Sequence, residues 1–153
     1  MKKIFLLTIV LVMALMLVAC SPKTALTEAE FSGRMEQAGY SVEGENYFDD
    51  QFEVTSAARA VAPEDKFTID FAVFPSDEQA RTAHGKFKEG FKALIVGASS
   101  NVETNVSNFN TYRARNNGMY YVSSRIDSTL LCIVTEDGNT DAVNEALKTL
   151  GYW

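Results

Sequence analysis

Two hydrophobic periods alternate along this chain, and the switches between them mark its elements. Thr27 stands three residues before Glu30, the spacing of a capping box in which each side chain covers the other residue's backbone N–H. Leu26 before the cap and Phe31 at the fourth helical position fit a hydrophobic staple. Phe31, Met35 and Ala38 then share one helical face, Gly39 supplies a stop, and Tyr40 and Val42 follow as packing residues. Residues 43–50 are acidic and turn-like. From Phe52 the period becomes two, with Phe52, Val54, Ser56, Ala58 and Ala60 on one side of a strand. Pro63-Glu64-Asp65 turns the chain. Phe67, Ile69, Phe71 and Val73 then alternate with Lys66, Thr68, Asp70 and Ala72, a half-buried strand that completes a hairpin.

Ser76 and Gln79 form a second capping box, and Asp77 and Glu78 suit the positive end of a helix dipole. The helix they open carries a stripe at Ala80, Ala83, Phe87, Phe91 and Leu94. Gly85 and Gly90 interrupt it, either allowing close approach to a sheet or breaking the helix near Gly90. Three strands are predicted next: a loose alternation from Val102 to Arg115, a Tyr/Val/Ser-rich run from Met119 to Ile126, and Thr129 to Thr135, which is apolar on both faces and therefore central. Asn116-Asn117-Gly118 and Asp127-Ser128 supply the tight turns. Asp137 to Asp141 caps a last helix with Val143, Ala146, Leu147 and Leu150 on its face and Gly151 at its end. The order α-β-β-α-β-β-β-α with hairpin turns predicts an α+β fold, an antiparallel sheet of about five strands with the helices packed on one face.

The first twenty residues follow neither period. Lys2 and Lys3 precede an uncharged run, Ile4 to Val18, whose only polar residue is Thr8. That run is shorter than the ~20 residues of a spanning helix and has the length of a signal-peptide core. Leu17-Val18-Ala19-Cys20 resembles the lipobox of bacterial lipoproteins. The resemblance implies cleavage between Ala19 and Cys20 and a lipid on the Cys20 thiol. It divides the chain into a signal peptide (1–19), the lipidated Cys and a short tether (20–26) and one domain (27–153). It also implies an extracytoplasmic, membrane-anchored protein, on the outer membrane if the cell has two, which Ser21 after the Cys permits. The resemblance covers the sorting segment alone, and no family is identified for the mature domain.

Charge narrows the partners. Removing Lys2 and Lys3 with the leader leaves 12 basic and 20 acidic residues, a net charge of −8. Such a body lacks the basic surface that nucleic acid requires and is repelled by anionic headgroups, so attachment falls to the acyl chains, at about 0.8 kcal/mol per buried CH₂. Acylation of Cys20 leaves Cys132, inside the apolar run 129–134, without an intramolecular partner and reads it as a small hydrophobe. Without acylation, a Cys20–Cys132 disulfide is the competing arrangement.

Candidate chemistry is sparse. His84 is the only histidine, placed near the edge of its helix's apolar stripe and read as half-exposed. With two cysteines besides, the chain cannot supply a zinc ligand set. Asp137-Gly138-Asn139-Thr140-Asp141 begins like an EF-hand loop, but Ala142 stands where glycine is needed and Lys148 where a bidentate glutamate is needed, so it reads as a helix cap. Glu43, Glu45, Asp49 and Asp50 read as a solvated acidic loop. No phosphate loop, paired-carboxylate or nucleophile-elbow motif occurs. The expectation is a protein with no catalytic residues, cofactor or metal. Its possible partner-binding aromatics are Tyr112, Tyr120, Tyr121, Tyr152 and Trp153, concentrated in the last third of the chain. A non-catalytic binding or structural protein of the cell envelope, meeting a protein partner there, fits best; a proteinaceous inhibitor of an envelope hydrolase is the alternative.

Overall fold

The computed structural model describes residues 22–44, 46–48, 52–97 and 99–153. The leader with Ala19 and Cys20, and Glu45, Asp49 and Asp50 of the acidic loop, lie outside the described residues. Within them the chain forms α1 (Glu28–Gln37), β1 (Ser41–Glu43), β2 (Ser56–Val61), β3 (Thr68–Val73), α2 (Asp77–Leu94), β4 (Ser100–Val106), β5 (Phe109–Asn116), β6 (Met119–Ile126), β7 (Thr129–Glu136) and α3 (Thr140–Leu150). Short 3₁₀ turns, Pro63–Asp65 and Asp137–Asn139, precede β3 and α3. The strands form one antiparallel sheet in the order β1-β2-β3-β7-β6-β5-β4.

The α+β class and the open antiparallel sheet follow the sequence pattern, but seven strands replace the expected five. The alternation from Val102 to Arg115 is a hairpin, not one strand. It reverses at Ser107-Asn108, where Ser107 takes the positive φ (41°) that the turn needs. Asn117 and Gly118 (φ 51° and 76°) and Asp127 (φ 47°) make the other two tight turns at their predicted places. β1, read as loose packing after α1, adds a three-residue edge through Val42, which pairs with Ala60.

The expectation that all helices share one face is corrected. Alternate residues of each strand enter different cores, and the cores lie on opposite faces. On one face, Phe31 and Met35 of α1 and Val143, Leu147 and Leu150 of α3 pack on Ala58, Ala60, Ile69, Phe71, Val122, Leu131 and Ile133. The Phe31 and Phe71 rings stack there at 4.6 Å. On the other, Ala80 and Ala83 of α2 pack on Ala72, Leu130 and Cys132, and Phe91 packs on Tyr112, Ala114 and Tyr121. Phe52 and Val54 join the α2 side, opposite Ala58 and Ala60, because the chain is not yet in the strand at those positions.

Two helix starts make the caps read from sequence; at α3 the expected cap over Asp137 to Asp141 is replaced by the 3₁₀ turn Asp137–Asn139, and the N-cap Asn139 makes no side-chain cap bond. Thr27 and Glu30 make both arms of the capping box, and Leu26 and Phe31 are buried in the same core. Ser76 Oγ accepts the Gln79 N–H at 3.2 Å, while Gln79 Oε1 accepts from the Ser76 hydroxyl. Gly39 (φ 88°) and Gly151 (φ 85°) end α1 and α3 identically, with the next N–H returning five residues: Tyr40 to Met35 O, and Tyr152 to Leu147 O. Gly85 and Gly90 neither break α2 nor approach the sheet: a Cβ at either would meet nothing within 4 Å. Leu94, the end of the predicted stripe, is exposed.

Those open positions generate a prediction. Gly85→Ala and Gly90→Ala each raise stability by about 0.5–1 kcal/mol through helix propensity, or about 3 °C in Tm, measured by thermal unfolding. A loss of stability in either variant contradicts the outward placement.

Candidate functional site

Two polar arrangements lie on the sheet, one under α2 and one open. Under α2, the strand register sets a single transverse row, Glu43–Arg59–Asp70–Cys132–Ser123–Tyr112–Glu103, each residue paired with the next. Arg59 Nε donates to Asp70 Oδ1 at 2.6 Å, and its guanidinium lies 3.3 Å from the Tyr47 ring centre. His84, read from sequence as half-exposed, is buried instead. Its Nδ1 is 2.8 Å from Ser123 Oγ, and Nε2 is buried without a hydrogen-bond partner among the described residues. Burial pushes the imidazole down to about 4, with the charges of Lys88 and Arg125 adding to the effect. Cys132 is a buried free thiol held well above its usual range by burial. His84, Ser123 and Cys132 therefore converge in chain geometry, but all three are enclosed and the imidazole is neutral near pH 7.

A second network ties α2 down. Arg125 is fully buried in β6, and its sequence neighbours gave no hint of that. Its Nη1 donates to Asp77 Oδ1 in the first turn of α2 and to Asp127 O (2.6 Å), and its Nε donates to Asn110 Oδ1 (2.7 Å). Asn110 continues to Asn105, Asn105 to Glu103, and Glu103 to Lys88 on α2 (2.9 Å). The chain of bonds leaves α2 at its start and rejoins it three turns later.

The open site lies on the α1/α3 face. Those helices cover the inner strands and the Phe109–Thr111 half of β5, and leave β4 and the Arg113–Arg115 half of β5 open at one end of the sheet. The resulting groove, about 360 Å³, is bounded by Val102 of β4, Arg113 and Arg115 of β5, Tyr120 of β6, Asn144 of α3 and Trp153. Tyr120 donates to Asn144 Oδ1 at 3.1 Å, which fixes its floor. The Arg113 guanidinium lies 4.0 Å from the Trp153 ring centre, and Arg113 Nε is buried without an acceptor. Arg115 is held by Asp137 (3.0 Å), and Lys148 by Glu145 (2.6 Å). Among the described residues Arg113 is the cation of this groove that has no carboxylate. Asp137 thus serves Arg115 and the Thr140 hydroxyl (3.0 Å). No group of three or more His, Cys, Asp and Glu suited to a metal occurs among the described residues.

The five aromatics singled out from sequence separate. Tyr112 and Tyr121 are buried beneath α2, and Tyr152 is buried with its hydroxyl against Thr129 Oγ1. Burial pushes the Tyr152 phenol up to about 12. Tyr120 and Tyr121 do point to opposite faces, but both faces are covered there, so neither is a free anchor. Trp153 alone of the five is exposed, at 44%.

Two stability measurements test the buried groups. Unfolded His84 takes up its proton near pH 6.5 and the folded imidazole only near 4, so the unfolded state binds more protons between those values and stability falls as pH falls through that window. The loss from this group reaches about 3 kcal/mol by pH 4, and His84→Asn removes that part of the slope in urea titrations run across the window. Arg125→Ala costs about 3–5 kcal/mol, whereas Arg81→Ala, which removes the exposed partner of the same Asp77 (3.2 Å), costs under about 1 kcal/mol. Equal losses in the two arginine variants would show the buried network to be energetically idle.

No family model and no curated protein matches this chain. Among solved structures, it is similar to the crystal structure of a GTP binding regulator from Thermotoga maritima, at 16% sequence identity and a TM-score of 0.53, covering 85% of this chain and 91% of that one. At that identity the likeness extends to the fold alone.

Proposed function

We propose that this chain is a lipid-anchored extracytoplasmic protein whose domain binds a partner in the cell envelope through the Arg113–Trp153 groove, without catalysis. The lipobox-like Leu17-Val18-Ala19-Cys20 supports the anchor. Among the described residues no helix is long and apolar enough to cross a membrane, and in this reading the acyl chains on Cys20 supply the attachment. The observation that carries the binding reading is the groove itself. It combines an exposed indole, an arginine stacked beneath it without a carboxylate, and a hydrogen-bonded tyrosine floor. Planar Arg–Trp pairs are frequent energetic centres of protein interfaces. In a chain of net charge −6, this local cationic surface selects an acidic or carboxylate-bearing partner segment. The enclosed His84 and Cys132 support the non-catalytic half of the reading.

Two experiments test it. Cys20→Ala abolishes fatty-acid labelling of the chain in its host; unchanged labelling refutes the anchor. In detergent-solubilised host membranes, the parent chain retains a partner that Arg113→Ala and Trp153→Ala lose by tenfold or more, about 1.4 kcal/mol, while Leu94→Ala on the far side of α2 retains it. Retention that ignores the groove variants but follows Leu94 would transfer the site to α2.

A further inference from the structure

The amino-terminal segment is fastened to the domain earlier than its tether-like sequence suggests. Lys23 donates its backbone N–H to Asn108 Oδ1 (3.3 Å), and Asn108 Nδ2 donates back to Lys23 O (2.6 Å). Asn108 sits in the β4–β5 turn and also donates to Asp127 Oδ2 of the β6–β7 turn (3.0 Å). The Lys23 ammonium donates to Gly151 O (2.9 Å) and to Trp153 O, at the negative end of α3, and lies 4.4 Å from the Phe109 ring centre. Backbone and side chain of one residue thus grip one turn and a helix end, with a second turn joined through Asn108.

We infer that, in the acylated protein, the end of the domain formed by the β4–β5 and β6–β7 turns faces the bilayer, with Val106 and Ser107 against the headgroup surface. The inference rests on the reading of Cys20 as the lipid-bearing residue. Three residue steps separate Cys20 from Lys23, a reach of about 11 Å at full extension. The eight residues of β5 run about 27 Å from that end to the Asn117-Gly118 turn. A bilayer that holds the Cys20 acyl chains is therefore within contact of Asn108 and out of reach of Asn117 unless the domain lies flat. The surface nearest the anchor suits a headgroup layer. Val106 is exposed, and the stretch Val106-Ser107-Asn108-Phe109 is itself uncharged, the Asp127 carboxylate of the neighbouring turn being taken up by Asn108. At the opposite end Glu64 and Asp137 are paired with Lys66 and Arg115, so the reach of the segment before Lys23, rather than charge, distinguishes the two ends.

The test uses the full acylated chain in vesicles of phosphatidylethanolamine and phosphatidylglycerol that contain a headgroup-labelled energy acceptor. A donor dye is attached to Ser107→Cys or to Asn117→Cys, both exposed turn positions, Cys132 being buried. Transfer is expected to be markedly more efficient from position 107. A flexible Gly/Ser insert of about ten residues between Pro22 and Lys23 lengthens the reach and equalises the two positions, and Asn108→Ala narrows the difference. Equal transfer from both positions in the uninserted chain, or stronger transfer from position 117, overturns the orientation while leaving the anchor intact. A purified chain whose mass shows no acyl groups and which floats free of vesicles overturns both, and Cys20→Ala gives the reference for that outcome.

Discussion

The middle strand has no polar face, and the architecture follows from that. β7 lies fourth of seven, with Leu130 and Cys132 turned to one side and Leu131 and Ile133 to the other. Each such side chain contributes about 1.5–3 kcal/mol only if water leaves it. A sheet centred on β7 must therefore be covered twice. α1 and α3 flank the strand sequence at its two ends and supply one cover. The other falls to α2, which connects β3 to β4, strands four places apart with β7, β6 and β5 between them. Crossing about 19 Å of sheet on a slant takes a long helix, and the 18 residues of α2 span about 27 Å.

A long helix over a sheet of mixed polarity is under-determined by alanines alone. Ala80 and Ala83 give little grip, Phe87 and Phe91 hold the second half of the helix, and polar contacts fix its register along the sheet. Arg125 anchors the first turn through Asp77, His84 meets Ser123 midway, and Lys88 reaches Glu103 near the outer edge. Burying a guanidinium is costly unless its donors are taken up. Asp77, Asn110 and Asp127 O take up most of them. The network therefore fixes where α2 lies more than it adds to how strongly α2 is held.

Much of this was legible from residue patterns. Both N-caps, the Gly39 and Gly151 stops, the Asn-Gly turn and the central place of the 129–135 strand each rest on a local rule that tertiary contacts did not override. The two-sided cover was also implicit, since a strand apolar on both faces demands it. The turn at Ser107-Asn108 was not legible because neither residue is glycine and the alternation runs through it in phase; Asn108 earns its place by contacts with Lys23 and Asp127, which are distant in sequence. His84 and Arg125 were missed for the same reason. A histidine at the edge of a stripe and an arginine in a strand look solvated until the partners from other elements, Ser123, Asp77 and Asn110, are in place. The site was only partly readable. Trp153 was named, but the tyrosines beside it are core, and Arg113, its stacking partner, carried no signal in its own neighbourhood.

The groove and the amino-terminal fastening are mechanically one device. Gly151 turns the chain out of α3 in the left-handed conformation, Tyr152 is buried against Thr129, and Trp153 is thereby carried over Arg113. The Lys23 ammonium sits on the backbone oxygens of Gly151 and Trp153 that set this path. Whatever fixes or pulls the chain before Lys23 acts on the residue that shapes one wall of the groove, through two hydrogen bonds and no intervening loop. Asn108 adds the second grip on the same lysine, so a load on the amino-terminal segment is shared between a rigid hairpin and the groove wall.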